Sequence, residues 1–228
     1  MVELLKKHSL HDFYTFGARQ YPLIIEKVCV VRPSDFGLPP DEERGLPGEE
    51  RYMQSGWATQ MLGRYFAAGL VLKNAHVLEL CSGLGWGAYI LSHFAEKVSC
   101  LELDDDIKER AKTFWKRENI TWESGNALHC DTHYSAGQFS AVTFMEAIEH
   151  FTRDDGFNML KKISHILADN GVLIASSFFP ASRELADEVC AKNKHHLYIF
   201  TEQEAMACCK VLFRSCFIVN KMLLVAIK

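Results

Sequence analysis

The sequence predicts an α/β fold: a doubly wound, mostly parallel sheet with an antiparallel C-terminal hairpin strand, preceded by an N-terminal lid of helix and loop. Three observations predict it. From His76 onward, five short apolar runs alternate with polar stretches, as strands joined by crossover helices do. The first run enters a glycine-rich turn that opens a helix. The last two apolar runs are separated by Asn220-Lys221, residues suited to a hairpin turn.

The elements follow in order. The prolines Pro22, Pro33, Pro39, Pro40 and Pro47 all fall early in the chain, and RPSDFGLPPDEERGLPGEER has turn residues every few positions. Residues 1–50 are therefore expected to hold an N-terminal helix and an ordered loop or lid, with the acidic cluster at 41–43 solvated. The main domain is expected over 51–228. Met61, Leu62, Tyr65, Phe66 and Leu70 recur at helical spacing, predicting one helix from about 51 to 72. Strands are expected at HVLELC, VSCLEL, ITWES and FSAVTFME. The helix after VSCLEL begins with acidic residues, which suit the positive end of its dipole. A helix over about 153–167 should end before a turn at Asn170-Gly171, which leads into a fifth strand, GVLIASSF. Thr201 with Glu204 three residues on reads as a capping box. The hairpin is expected from the runs around 211–219 and 222–227.

Composition narrows the function. Hydrophobic residues make up 48% and charged residues 24%, the balance of a globular protein. With 25 basic against 29 acidic residues the net charge is −4, and no basic stripe is visible, so nucleic acid is a disfavoured partner. No apolar run is long enough to span a membrane. The eight cysteines form no C-x-x-C pair, which argues against a zinc ribbon or a dithiol redox site and for a reduced, cytoplasmic protein. The oligomeric state stays open.

The chemistry concentrates in two places. In Glu79-Leu80-Cys81-Ser82-Gly83-Leu84-Gly85-Trp86-Gly87 a strand turns through glycines into a helix, so a ligand can approach the backbone and helix N–H groups can face an anion. The next strand ends at Glu102, about 20 residues on, where a carboxylate can accept both hydroxyls of a ribose. A dinucleotide site would read Gly83-x-Gly85-x-x-Ala88. Against it, the chain has no Tyr-x-x-x-Lys and no room for a separate catalytic domain, and Glu79 lies outside that fingerprint.

Glu79-x-Cys81-x-Gly83-x-Gly85 resembles the first motif of the class I S-adenosylmethionine-dependent methyltransferases, an acidic strand end followed by x-Gly-x-Gly-x-Gly. Cys81 stands in place of the first glycine. Glu102 matches the acid of their second motif. Gly125-Asn126-Ala127 matches the third, usually Gly-Asp-Ala, and FSAVTFMEAIEHF the fourth. The resemblance spans about residues 51–228. It implies a Rossmann-like fold, S-adenosyl-L-methionine as cofactor, and a cofactor site of Glu79, Cys81, Gly83, Gly85, Glu102, Leu103, Asn126, Ala127, Met145 and Glu146. In that site the glycine turn suits the methionine moiety, Glu102 the ribose diol, and Asn126 with Ala127 the adenine edge. Asn126 in place of aspartate keeps an acceptor, adds a donor and loses a charge.

The second place is Glu146-x-x-Glu149-His150, just after the fourth strand. On a helix these three would share one face. They allow two uses. His150, assisted by Glu149, can act as a general base on an acceptor hydroxyl. Alternatively Glu146, Glu149, His150 and His196 can hold a divalent cation that polarises the acceptor oxygen. The cation set resembles that of the small-RNA 2′-O-methyltransferases and the ubiquinone-pathway O-methyltransferases, with His196 the better match to their later histidine before an aromatic-Thr segment, here His195-His196-Leu197-Tyr198-Ile199-Phe200-Thr201. A plain orienting role for Glu149 and His150 is the third option. Tyr14, Phe16, Tyr52, Met53 and Trp57 offer either an apolar wall for a small organic substrate or a docking face for the N-terminal helix. Trp86 is expected in the cofactor pocket or the core. The expected activity is methyl transfer to a small molecule, at oxygen. The alternatives are an RNA 3′-end 2′-O-methyltransferase with a divalent metal, and a cofactor-binding, non-catalytic partner subunit.

Overall fold

The computed structural model describes residues 2–39 and 45–228, so the acidic cluster at 41–43 lies outside the described residues. In chain order the helices are α1 (Val2–Leu5), α2 (Leu10–Gln20), α3 (Pro22–Cys29), α4 (Glu50–Ser55), α5 (Trp57–Val71), α6 (Trp86–Leu91), α7 (Asp105–Phe114), α8 (Cys130–His133), α9 (Arg153–Ile166), α10 (Arg183–Ala191) and α11 (Glu202–Leu212). The strands are β1 (His76–Leu80), β2 (Lys97–Glu102), β3 (Ile120–Ser124), β4 (Phe139–Met145), β5 (Leu167–Ser176), β6 (Ser215–Val219) and β7 (Leu223–Ile227). Their order in the sheet is β3-β2-β1-β4-β5-β7-β6, with β7 antiparallel to both neighbours. The expected mostly parallel sheet with a terminal antiparallel hairpin is what forms. Among the described residues no helix is long and apolar enough to cross a membrane.

The chain divides into two compact units. The first takes residues 1–74 and 82–124. Its α2 starts at a capping box: Ser9 Oγ accepts from the Asp12 N–H, and Asp12 Oδ2 accepts from the Ser9 N–H at 2.7 Å. Helix α2 lies so close to α5 that a Cβ on Gly63 would stand 2.2 Å from the Leu10 carbonyl oxygen. The single helix expected from 51 to 72 is instead two, because Gly56 takes a left-handed φ of 75° that ends α4 and starts α5. The single N-terminal helix is likewise divided, into α1, α2 and α3. Strands β2 and β3 pair in parallel, with Cys100 opposite Trp122 and Glu102 opposite Ser124. Asp104 caps α7 by accepting the N–H groups of Asp106 and Ile107.

The second unit takes residues 75–81 and 125–228. Here β1 pairs with β4, placing Glu79 opposite Thr143, and β4 pairs with β5. Helix α9 ends one residue earlier than expected, and β5 begins at once with Leu167 opposite Phe139. The register then jumps to Val172 opposite Ala141. The turn expected before the fifth strand is therefore an excursion within it, carried by the left-handed Asn170 (φ 62°). The run expected as the first hairpin strand is shared, since α11 extends through Leu212 and β6 starts only at Ser215. The hairpin turn forms where expected, with Asn220 and Lys221 both at positive φ.

Candidate active site

In the first unit, the glycine turn and the end of β2 are tied together. The Gly83 N–H donates to Glu102 Oε2 at 2.8 Å, and the Asp104 N–H donates to Oε1 at 3.1 Å. Glu102 is only 8% exposed, whereas the next residue, Leu103, is 68% exposed. Each carboxylate oxygen takes one backbone N–H and keeps acceptor capacity for a second donor, so the group can still receive two hydroxyls. Gly83 has φ 52° with nothing within 4 Å of where a Cβ would lie; backbone conformation alone asks for glycine there. At Gly85 both conformation and space ask for it: φ is 75°, and a Cβ would meet the Trp122 ring at 2.3 Å. Trp86 resolves toward packing, since its indole N–H donates to the Gly45 carbonyl at 3.1 Å and its ring sits edge-on to Tyr65.

The remaining cofactor candidates belong to the second unit. Glu79 is 1% exposed within β1. Cys81, in the position of the first motif glycine, takes a left-handed φ of 56°. That conformation costs an L-residue about 1–2 kcal/mol, so the cysteine adopts the turn at a price glycine avoids. Asn126 caps a short 3₁₀ turn by accepting the Leu128 N–H at 2.9 Å, and Ala127 and Met145 are buried. Glu146 is left-handed as well, at φ 47°. The buried Ser176 holds it twice, accepting its N–H at 3.0 Å and donating to its Oε1 at 2.8 Å.

That backbone overturns the expected shared helical face of Glu146, Glu149 and His150. The left-handed residue interrupts the segment, and only Ile148–His150 turns, as a 3₁₀ helix. Glu149, His150 and His196 nonetheless converge, with one ligand atom from each lying within 4.8 Å of the others. Glu146 is not in that group. Glu149 is 4% exposed and the two histidines are half-buried. The imidazoles of His150 and His196 meet edge-to-face with centroids 5.2 Å apart.

The irregular strap over 193–201, between α10 and α11, supplies His196 and also orients His150. His150 Nδ1 lies 3.1 Å from the His195 carbonyl oxygen, which can only accept. Nδ1 therefore carries the proton, and Nε2 is the basic nitrogen of the neutral ring. The Leu197 and Tyr198 N–H groups donate back to the Glu149 carbonyl at 2.8 and 3.3 Å. Asn193 Oδ1 accepts the His195 N–H at 2.9 Å, so its amide NH2 faces His196 Nε2 at 3.1 Å. This makes Nε2 of His196 an acceptor; coordinating a cation through Nδ1 would require the Asn193 amide to turn over.

The far end of the strap is equally fixed. Tyr198 donates its hydroxyl to Glu204 Oε1 at 2.7 Å, and Arg183 donates to Glu204 Oε2 at 3.0 Å and to the Ile199 carbonyl at 2.9 Å. The Arg183 guanidinium also stacks on the Tyr198 ring, 4.5 Å from its centroid. Burial first, and then the Glu204 carboxylate, push the Tyr198 hydroxyl above its usual range. Sequence reading missed Ser176, Asn193 and Arg183, and gave Tyr198 no role beyond the segment that carries His196. Of these, only the partner of Arg183 and Tyr198 had a local signal, the Thr201–Glu204 capping box.

Residues 77–171 match a family model described as a methyltransferase domain. The match includes the glycine turn, Glu102, Asn126, Glu149 and His150, and leaves out the strap. A search of curated proteins gave no match. Among solved structures, the fold resembles the YcgJ protein of Bacillus subtilis, with a TM-score of 0.60 and 14% identity over 68% of this chain and 69% of that one. It resembles a chain in the complex between the Haloferax volcanii Trm112 methyltransferase activator and its candidate methyltransferase (TM-score 0.62, 13% identity, 83% of this chain and 98% of that one). It also resembles an S-adenosylmethionine-dependent methyltransferase of Mesorhizobium loti (TM-score 0.57, 13% identity, 72% and 98%).

Proposed function

We propose that this chain, whose residues 77–171 match a methyltransferase domain, is a class I S-adenosylmethionine-dependent methyltransferase that methylates an oxygen of a small-molecule acceptor, with His150 taking the proton. When bound, S-adenosylmethionine supplies a methyl group made electrophilic by its sulfonium. The chain's own task is then to hold the donor, align the acceptor and remove a proton. Glu102 would receive the ribose hydroxyls, beside the glycine turn that leaves the backbone approachable. Asn126 and Ala127 would meet the adenine edge.

The observation that carries the choice of oxygen is the convergence of His150 with Glu149 and the His195 carbonyl. A hydroxyl is a weak nucleophile until deprotonated, whereas a neutral amine needs no base to attack. An imidazole whose Nδ1–H is committed to a backbone carbonyl presents Nε2 as that base. The net charge of −4 supports a small acceptor over a nucleic acid.

The same cluster favours one second reading. Glu149, His150 and His196 would hold a divalent cation, which would lower the pKa of an acceptor hydroxyl. Hydroxylated and amine acceptors offered with isotopically labelled S-adenosylmethionine test the proposal. Label should enter hydroxyl acceptors, and His150→Gln should slow its transfer on the order of a hundredfold. Label confined to amines, or an undiminished His150→Gln, would overturn it. Full activity after exhaustive chelation would remove the cation reading alone.

A further inference from the structure

The contacts of the strap over 193–201 go beyond holding two helices together. Its carbonyl at His195 receives His150 Nδ1–H, and its N–H groups at Leu197 and Tyr198 seize the carbonyl of Glu149. These three contacts set where both cluster residues lie, yet the strap has no helix or strand of its own. Its far end is steadied by a charged node. Arg183, at the start of α10, spends its guanidinium three ways: on Asp187 at 2.9 Å, on Glu204 at 3.0 Å and on the Ile199 carbonyl at 2.9 Å. Glu204, at the start of α11, takes Arg183 and the Thr201 N–H on one oxygen and the Tyr198 hydroxyl on the other.

We propose that Arg183 and Glu204 are positioning residues for the proposed methyl transfer: together they latch the 193–201 strap, and through its His195 carbonyl they hold His150 as the Nδ1–H tautomer with Nε2 basic. The inference rests on the reading of His150 as proton acceptor. The chemistry needs arginine at 183, because only a planar fork can serve two carboxylates and a carbonyl while stacking on Tyr198; a lysine keeps the charge and loses the geometry. It needs a carboxylate at 204, because glutamine can still cap α11 but weakens the charge-assisted bond to Arg183.

Arg183→Lys, Glu204→Gln and the double variant test this in the full chain, with two readouts taken without acceptor. The first is the ¹⁵N spectrum of labelled histidine, with His150 assigned by its absence in His150→Gln. The wild type should show the Nδ1–H pattern and each variant a mixture of tautomers. The second is amide exchange at Leu197 and Tyr198, which should quicken about tenfold in each single variant while β5 amides stay protected. The double variant should be no looser than Arg183→Lys, as expected of two residues acting through one node. An unchanged His150 pattern with unchanged strap exchange overturns the latch; so does quickening spread equally through β5, the mark of a merely structural salt bridge. Because neither readout depends on turnover, an undiminished His150→Gln in the activity assay would sink the base reading and leave these results to decide the latch.

Discussion

The Gly83 N–H and the Glu102 carboxylate are joined by a 2.8 Å hydrogen bond, which ties the loop after β1 to the tip of β2. The bond presents the carboxylate already oriented, with the Asp104 N–H on its other oxygen. A preset acceptor of this kind loses little freedom when a diol arrives.

Glu102→Ala should therefore weaken S-adenosylmethionine binding by about 1–3 kcal/mol, the cost of leaving buried polar partners unpaired. Calorimetry with the demethylated product, S-adenosylhomocysteine, reads this directly. Glu102→Gln should lose less, since it keeps one oxygen for the turn. Equal affinity in wild type and Glu102→Ala would remove Glu102 from the cofactor site.

The two glycines of the turn should behave differently. Gly85→Ala combines a left-handed backbone with a 2.3 Å approach to Trp122 and should cost at least about 2 kcal/mol in a urea melt. Gly83→Ala meets nothing within 4 Å and should cost about 1 kcal/mol, the conformational penalty alone. Equal losses at the two positions would contradict the packing around Trp122.

His93 should make stability fall in mild acid. Burial first, and then the nearby Arg117, hold its imidazole down at about 4 instead of the usual 6.5, and its Nε2 has no hydrogen-bond partner among the described residues. The unfolded chain takes up a proton as pH drops through 6.5, while the folded chain does so only near 4. Stability is thus complete above 6.5 and declines below it, by about 1–2 kcal/mol between pH 7 and 5 from this one group. Denaturant melts at the two pH values should show a smaller decline in His93→Phe than in the wild type.

Cys130 and Cys209 should resist alkylation in the native protein. Burial pushes the Cys130 thiol up to about 11 and raises Cys209 further, so neither offers thiolate at pH 8. Iodoacetamide followed by mass spectrometry should label both only after unfolding.

The strands, their alternation with helices and the glycine turn were legible because each is announced by neighbours in the chain. Asn220-Lys221 marks its hairpin in the same local way. The errors fall where a backbone angle overrides the pattern. Gly56 splits an apolar, helix-period stretch into α4 and α5, and Asn170 buckles a strand that its apolar run starts too late to reveal. The left-handed Glu146 breaks the helical face that Glu-x-x-Glu-His suggests, which is why three of the four suggested ligands assemble and Glu146 does not. The strap was legible only at His196, and its hold on the cluster was hidden for another reason. Its contacts with Glu149 and His150 join residues far apart in the chain, and nothing in NKHHLYIF is periodic.

The near-touching of Gly63 and the Leu10 carbonyl bears on how the protein can be handled. With α2 seated in the notch that this side-chain-less position leaves, and its Gly17 pressed on the Phe66 ring, a fragment begun at Arg51 would strip that face of α5 of its cover and offer Phe66 to water. Such a fragment should be recovered as aggregate, so material for crystals or assays is best produced with its leading helices attached.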